Sequence, residues 1–137
     1  MPKTEITIVS VYEKVAEACY SLRDFCYRNK IEKIACSELE LCLTEALNNV
    51  IKHAYKENPL CSIHITYAFE NGELIIAIED SGIPRTNLDE PTLTYDPKDI
   101  NSLPEGGMGL FIIKNLMDSS VYKREGDKNI FTIKKKI

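Results

Sequence analysis

The chain is predicted to fold as one α+β domain, and three observations carry that reading. Two long segments that open on S-x-x-E hold apolar residues at helical spacing. Residues 61–69 alternate with a period of two and run into Asn71-Gly72. A stretch rich in proline and glycine then separates these elements from a last helix and two short strands. With 137 residues, 44% hydrophobic and 28% charged, the chain has the length and composition of a single globular domain with a real core.

Each element has its own signal. Thr4 to Val9 puts Ile6 and Ile8 on one side and Glu5 and Thr7 on the other, which suits a half-buried strand. Ser10-Val11-Tyr12-Glu13 reads as a capping box, and Val11, Val15, Cys19, Leu22 and Cys26 follow at helical spacing to about Asn29. Ser37-Glu38-Leu39-Glu40 repeats the signature, and its helix can run to about Tyr55 before Asn58-Pro59 stops it. In the next strand Ile63, Ile65, Tyr67 and Phe69 share a face. Asn71-Gly72 supplies the positive φ angles of a type I′ turn, so Leu74 to Ile78 should return antiparallel, and its near-continuous apolar content suits a central strand.

Residues 81–105 change character: Pro84, Pro91, Pro97 and Pro104 interrupt every helix they could form, and so long a stretch in a compact domain is more often a functional lid than a connection. Helical patterning resumes from Leu110 to Met117, and short strands around Val121-Tyr122 and Ile130 to Ile133 flank a Gly126-Asp127 turn.

Composition excludes several classes of function. A net charge of −4 argues against a protein built to bind nucleic acid, and Lys134-Lys135-Lys136 is expected to be a solvated terminus. Met1 to Ser10 lacks the apolar run of a signal peptide, and no segment approaches the ~20 apolar residues of a membrane span. Five cysteines without a C-x-x-C pair, placed inside apolar periodic segments, read as buried reduced thiols of a cytoplasmic protein. His53 and His64 are too few for a zinc site without a cysteine pair.

Three segments could carry chemistry. Glu45 and Asn49, four apart on the second long helix, project from one face a turn apart. Leu39, Leu43, Ala46, Val50 and Ala54 form an apolar arc centred about 140° away, so the helix can bury that arc and leave the polar pair facing a cleft. Taken alone, such a pair is more often an ordinary solvated helix face, by roughly three to one. Asp80-Ser81-Gly82 follows the buried strand, where a short acceptor and a glycine permit close approach of a flat ligand, although Asp and Gly also favour plain turns. Gly106-Gly107-Met108-Gly109-Leu110 opens a helix with exposed backbone N–H groups where the helix dipole favours an anion such as phosphate; a flexible hinge is the alternative. The P-loop, dinucleotide and eukaryotic-type kinase signatures are absent.

In order along the chain, E-A-L-N-N at 45–49, D-S-G at 80–82 and G-G-M-G-L at 106–110 resemble the nucleotide-binding boxes of the Bergerat-type, histidine-kinase-like ATPase superfamily. Within it, T-E-A-L-N-N-V-I-K-H-A-Y at 44–55 and E-G-G-M-G-L-F-I-I-K-N-L-M-D at 105–118 look most like the bacterial anti-sigma factor serine/threonine kinases. The resemblance covers nearly the whole chain. It implies a two-layer α/β sandwich over 1–137, with helices on one face of a mixed, mostly antiparallel sheet and a lid over about 81–109. It further implies ATP and Mg²⁺ as cofactors, with Glu45 as general base and Asn49 as the metal ligand. Asp80 would accept from the adenine amino group, Gly82 would keep the pocket floor clear, and Gly107, Met108, Gly109 and Leu110 would wrap the phosphates.

The activity implied is that of an anti-sigma factor that binds an RNA polymerase sigma factor and phosphorylates a serine of a STAS-type antagonist. A homodimer follows by the same analogy. The alternatives are a nucleotide-responsive binding module without phosphate transfer, or an ATPase of another partner-switching or two-component pathway. The chain departs from the pattern at Lys128-Asn129, where relatives commonly show Gly-Thr, and at Glu105, where some carry Arg. Asn129 could stand in as donor and acceptor. His53 is expected to be a helix-end or core histidine.

Overall fold

A computed structural model describes residues 2–84 and 107–137. The elements run β1 (Lys3–Val9), α1 (Val15–Arg28), α2 (Lys33–Asn49), β2 (Ser62–Glu70), β3 (Glu73–Asp80), α3 (Gly107–Leu116), β4 (Ser119–Glu125) and β5 (Lys128–Lys136). The strands form one five-stranded sheet in the order β1-β2-β3-β5-β4, so β3 is the central strand its apolar run predicts. Asn71 and Gly72 take φ of 52° and 76°, and Glu70 faces Glu73 across the turn, as Asn-Gly requires. Every pairing among the described residues is antiparallel, which corrects the mixed sheet implied by the resemblance.

The period-two strands put one face of the sheet against the helices. Ile63, Ile65, Tyr67, Leu74, Ile76, Ile78 and Ile133 pack on Leu22 and Phe25 of α1, Leu39, Leu43 and Leu47 of α2, and Ile113 of α3. Each such side chain contributes roughly 1.5–3 kcal/mol on burial, which is what fixes the strand register. Tyr67 is the large polar member of this layer, and its hydroxyl donates to the Ala18 carbonyl of α1 at 2.8 Å. The same burial pushes the Tyr67 hydroxyl well above its ordinary range.

Both expected capping boxes are corrected. Ser10 is buried, and its hydroxyl donates to the Asn58 carbonyl at 2.7 Å while its N–H donates to Cys61 O at 2.9 Å. A long-range partner has taken the group that a local cap would have used, and α1 starts at Val15 after a single 3₁₀ turn, Tyr12–Lys14. Helix α1 ends in a Schellman arrangement: Ile31 N–H donates to Cys26 O, Lys30 N–H donates to Tyr27 O, and Lys30 takes φ of 57°. That tight reversal lets α2 begin at Lys33, so Ser37 falls inside the helix rather than at its start.

The lysine run is corrected as well. Lys134 to Lys136 belong to β5, and Lys135 donates to the Leu116 carbonyl at 3.0 Å and pairs with Glu38 at 3.3 Å, tying the end of α3 to α2. The five cysteines are free; Cys19, Cys26 and Cys42 are buried and Cys36 and Cys61 half-buried. Burial pushes the Cys42 thiol up to about 12, so it stays protonated at neutral pH. Among the described residues no helix is long and apolar enough to cross a membrane.

Removing the Tyr67 hydroxyl deletes one buried hydrogen bond and leaves the ring in place. Tyr67→Phe should therefore lower stability by about 1 kcal/mol, seen as a lower urea midpoint at unchanged slope. An unchanged midpoint would remove that bond from the stabilising set.

Candidate functional site

Helix α2 buries Leu39, Cys42, Leu43, Ala46 and Leu47 and leaves Glu45 and Asn49 half-buried on a neighbouring face. That face meets the start of α3. A Cβ built on Gly109 would lie 2.8 Å from Glu45 Oε2, 3.4 Å from Glu45 Cβ and 3.5 Å from Asn49 Nδ2. Only a residue without a side chain lets α3 approach this closely without displacing the carboxylate. The pair on α2 and the glycine segment, separate in the sequence, are thus brought together. Among the described residues Asn49 Nδ2 is buried and finds no hydrogen-bond partner.

Beyond Asn49 the helix widens into a π turn, Val50–Ala54, closed by Tyr55 N–H donating to Val50 O at 3.0 Å. The turn delivers the Ala54 carbonyl to the end of β3, where Ile83 N–H donates to it at 2.9 Å. A Cβ on Gly82 would stand 2.4 Å from that carbonyl oxygen. Gly82 is therefore required for backbone to approach backbone, a different reason from the clear pocket floor implied by the resemblance. Tyr55 completes the join: its hydroxyl donates to Ser62 O at 2.6 Å and accepts from Ser81 N–H at 2.8 Å. Burial pushes the Tyr55 hydroxyl above its ordinary value, which keeps it protonated for this role.

Asp80, at the end of β3, is 6% exposed. Its Oδ1 accepts from Gly82 N–H at 2.8 Å and from Asn129 Nδ2 at 2.7 Å. Asn129 comes from β5, which pairs with β3 so that Asp80 faces Asn129. The residue that departs from the family pattern thus stands beside the strand-end carboxylate.

Between these groups lies a cavity open to solvent. Its walls are Ala46, Asn49, Val50 and Ala54 from the second helix and its π turn, Asp80 and Ile83 at the end of β3, Leu110 of α3, and Tyr122, Asn129 and Phe131 of the last hairpin. Apolar walls with a carboxylate at one end and a helix start at the other can hold a flat base and an anionic tail together.

Gly107 and Met108 fall in the first turn of α3, with side-chain surroundings outside the described residues. The remainder of the expected lid, 85–106, with Glu105 and Gly106, also lies outside them. His53 sits half-buried in the π turn and does not line the cavity.

Sequence reading missed Tyr55, Tyr122, Arg124 and Phe131. Tyr122 donates to Asn129 Oδ1 at 2.6 Å, and Arg124 Nη1 donates to the same oxygen at 2.8 Å. The Gly126-Asp127 turn held a usable signal, because closing a hairpin there places Arg124 opposite Asn129. Nothing local marks Tyr55, whose partners are seven and twenty-six residues away.

Gly82→Ala should drive its methyl into the Ala54 carbonyl and break the bond from Ile83, at a cost of about 1–3 kcal/mol. A urea midpoint equal to the wild type would contradict the contact.

Comparison with known proteins agrees with this architecture. Residues 8–135 match the histidine kinase-like ATPase domain family. An anti-sigma F factor from Geobacillus sp. (strain WCH70) is 31% identical over 103 residues, spanning 73% of this chain and 68% of that one. A serine-protein kinase RsbW from Bacillus cereus (strain AH187) is 30% identical over 119 residues, 85% of this chain and 74% of its own. Among solved structures, the RsbU and RsbW domains of a Mycobacterium tuberculosis protein superpose with a TM-score of 0.71 at 13% identity, covering 99% of this chain and 32% of that one. The SiaB-SiaC complex from Pseudomonas aeruginosa gives 0.62 at 13% identity over 98% of this chain and 89% of that one. At such identity the superpositions speak for the fold. With residues 8–135 matched and Asn49, Asp80 and Leu110 lining one cavity, which Glu45 and Gly109 do not line, this chain is a member of the histidine kinase-like ATPase domain family, a family whose members bind ATP.

Proposed function

We propose that the chain is an anti-sigma factor with ATP-dependent protein serine kinase activity, which binds a sigma factor and transfers phosphate to a serine of a STAS-type antagonist protein. The observation that carries the reading is the meeting of Glu45 and Asn49 with Gly109 beside a cavity that ends on Asp80. The kinase and anti-sigma names of relatives near 30% identity support it. One domain, 1–137, would hold the whole machinery, closed by a lid over about 81–109 and working in the cytoplasm as a homodimer.

The residues fit the cofactors. Among the described residues the Asn49 Nδ2 end of the carboxamide is buried without a partner, and turning the amide over would present its oxygen there to a cation. When bound, Mg·ATP supplies the phosphoryl group and neutralises its charge. The protein's part is positioning. Asp80 accepts from the purine amino group, and the N–H groups of the first turn of α3, Gly107 to Leu110, bind the phosphate oxygens. Glu45 accepts the proton of the attacking serine hydroxyl. Phosphate added to the antagonist then weakens its docking by repulsion and desolvation.

Incubation with labelled ATP and candidate antagonist domains tests the reading directly: labelled serine supports it, and ATP binding without transfer leaves a nucleotide-responsive binding module instead. Glu45→Ala should keep ATP binding and lower transfer by roughly 10²–10⁴-fold; transfer at the wild-type rate would take the base role from Glu45. For Asn49→Ala, ATP affinity should become insensitive to Mg²⁺, and a retained metal dependence in a titration would refute the assignment.

A further inference from the structure

The polar cluster behind Asp80 has a property that the nucleotide reading does not use. Asn129 is 2% exposed, and all of its hydrogen-bonding capacity is spent inside the protein. Its Nδ2 donates to Asp80 Oδ1 at 2.7 Å and to Gly82 O at 3.1 Å. Its Oδ1 accepts from Tyr122 Oη at 2.6 Å and Arg124 Nη1 at 2.8 Å.

These partners fix the amide's direction. Arg124 can only donate, so the group facing it is the oxygen; the Gly82 carbonyl can only accept, so the group facing it is the nitrogen. Arg124 Nη1 also donates to Gly82 O at 3.0 Å, and its Nε donates to Gly126 O at 3.0 Å, so the guanidinium is itself held at the turn. Asp80 Oδ1 is thereby filled by Gly82 N–H and Asn129, and among the described residues Oδ2 takes no hydrogen bond. The carboxylate is left with one acceptor for the cavity it lines, and Asn129 has nothing left to offer a ligand.

We infer that Asn129, locked by Arg124 and Tyr122, is a positioning residue that orients Asp80 and thereby sets the choice of nucleobase, favouring a purine with an amino group at C6 over one with an oxo group. The inference rests on the nucleotide reading above. Its physical basis is that a fixed lone acceptor pairs with an amino donor and opposes an oxo oxygen, whereas a carboxylate free to rotate can adapt to either. With Asn129 in place of the Gly-Thr pattern, this position still walls the cavity but spends its hydrogen bonds on holding the residue that pairs with the ligand.

The test is the ratio of affinities for ATP and inosine triphosphate, measured by titration calorimetry on the full chain. The wild type should favour ATP by about tenfold or more. Asn129→Leu should weaken ATP about tenfold and change inosine triphosphate by no more than about twofold, collapsing the ratio; a purely structural defect would weaken both alike. Arg124→Met, on an exposed edge strand, guards against misfolding of the buried variant and should shift the ratio the same way by about threefold. ATP binding with the wild-type ratio kept in folded Arg124→Met and Asn129→Leu would overturn the inference alone. A wild-type chain that binds neither nucleotide would overturn the nucleotide reading and this inference with it.

Discussion

The site depends on one close backbone approach, between the end of β3 and the end of α2. The Ile83 N–H bond to the Ala54 carbonyl closes the gap between the sheet layer and the helix layer, and it can form only because Gly82 presents no side chain to that oxygen. The last carbonyls of a helix have no partner within the helix, so the join satisfies a group that would otherwise need water. By holding the two layers at this point it also fixes how Asp80 on the sheet and Asn49 on the helix, both walls of the cavity, stand to one another.

A second close approach sets the other wall. Gly109 brings α3 against Glu45 and Asn49, and Lys135 fastens the far end of the same helix by bonding Leu116 O and pairing with Glu38. Helix α3 is thus held at both ends against α2, with Ile113 and Met117 buried between. Such an arrangement suits an element that must present backbone N–H groups at a fixed place, because a site on a packed helix start is positioned more accurately than one on a free loop. The site's polar groups follow a consistent division. Those toward the sheet, Asp80 and Asn129, are buried and bonded to one another, while Asn49 has one buried end with no partner among the described residues. An unsatisfied buried polar atom costs roughly 1–3 kcal/mol, a cost commonly found where a ligand completes the bonding.

Much of this was legible in one dimension because the signals are local. The Asn-Gly hairpin, the alternation of Ile63, Ile65 and Tyr67, and the helical stripe of Leu39, Leu43 and Ala46 each follow from the residues themselves, and each appears in place. The three candidate segments were readable for the same reason. What failed were inferences in which a local preference met a distant partner. Ser10 has the chemistry of a helix cap but spends its hydroxyl on Asn58, and Ser37 lies within a helix that the Lys30 reversal allowed to start early. The C-terminal lysines look like a solvated tail, yet strand pairing with β3 and β4 draws them into the sheet.

The sequence by itself determined the elements and their order, the buried faces, and three short segments that are candidates for chemistry, since periodicity, turn chemistry and glycine placement act over a few residues. The tertiary structure alone decided that Asp80, Asn129, Tyr122 and Arg124 form one hydrogen-bonded group, that Tyr55 and the Ala54 carbonyl hold the strand end, and that Gly109 reaches Glu45. Those contacts join residues far apart in the chain, and their geometry is fixed only when the apolar faces of α2, α3 and the sheet are packed together.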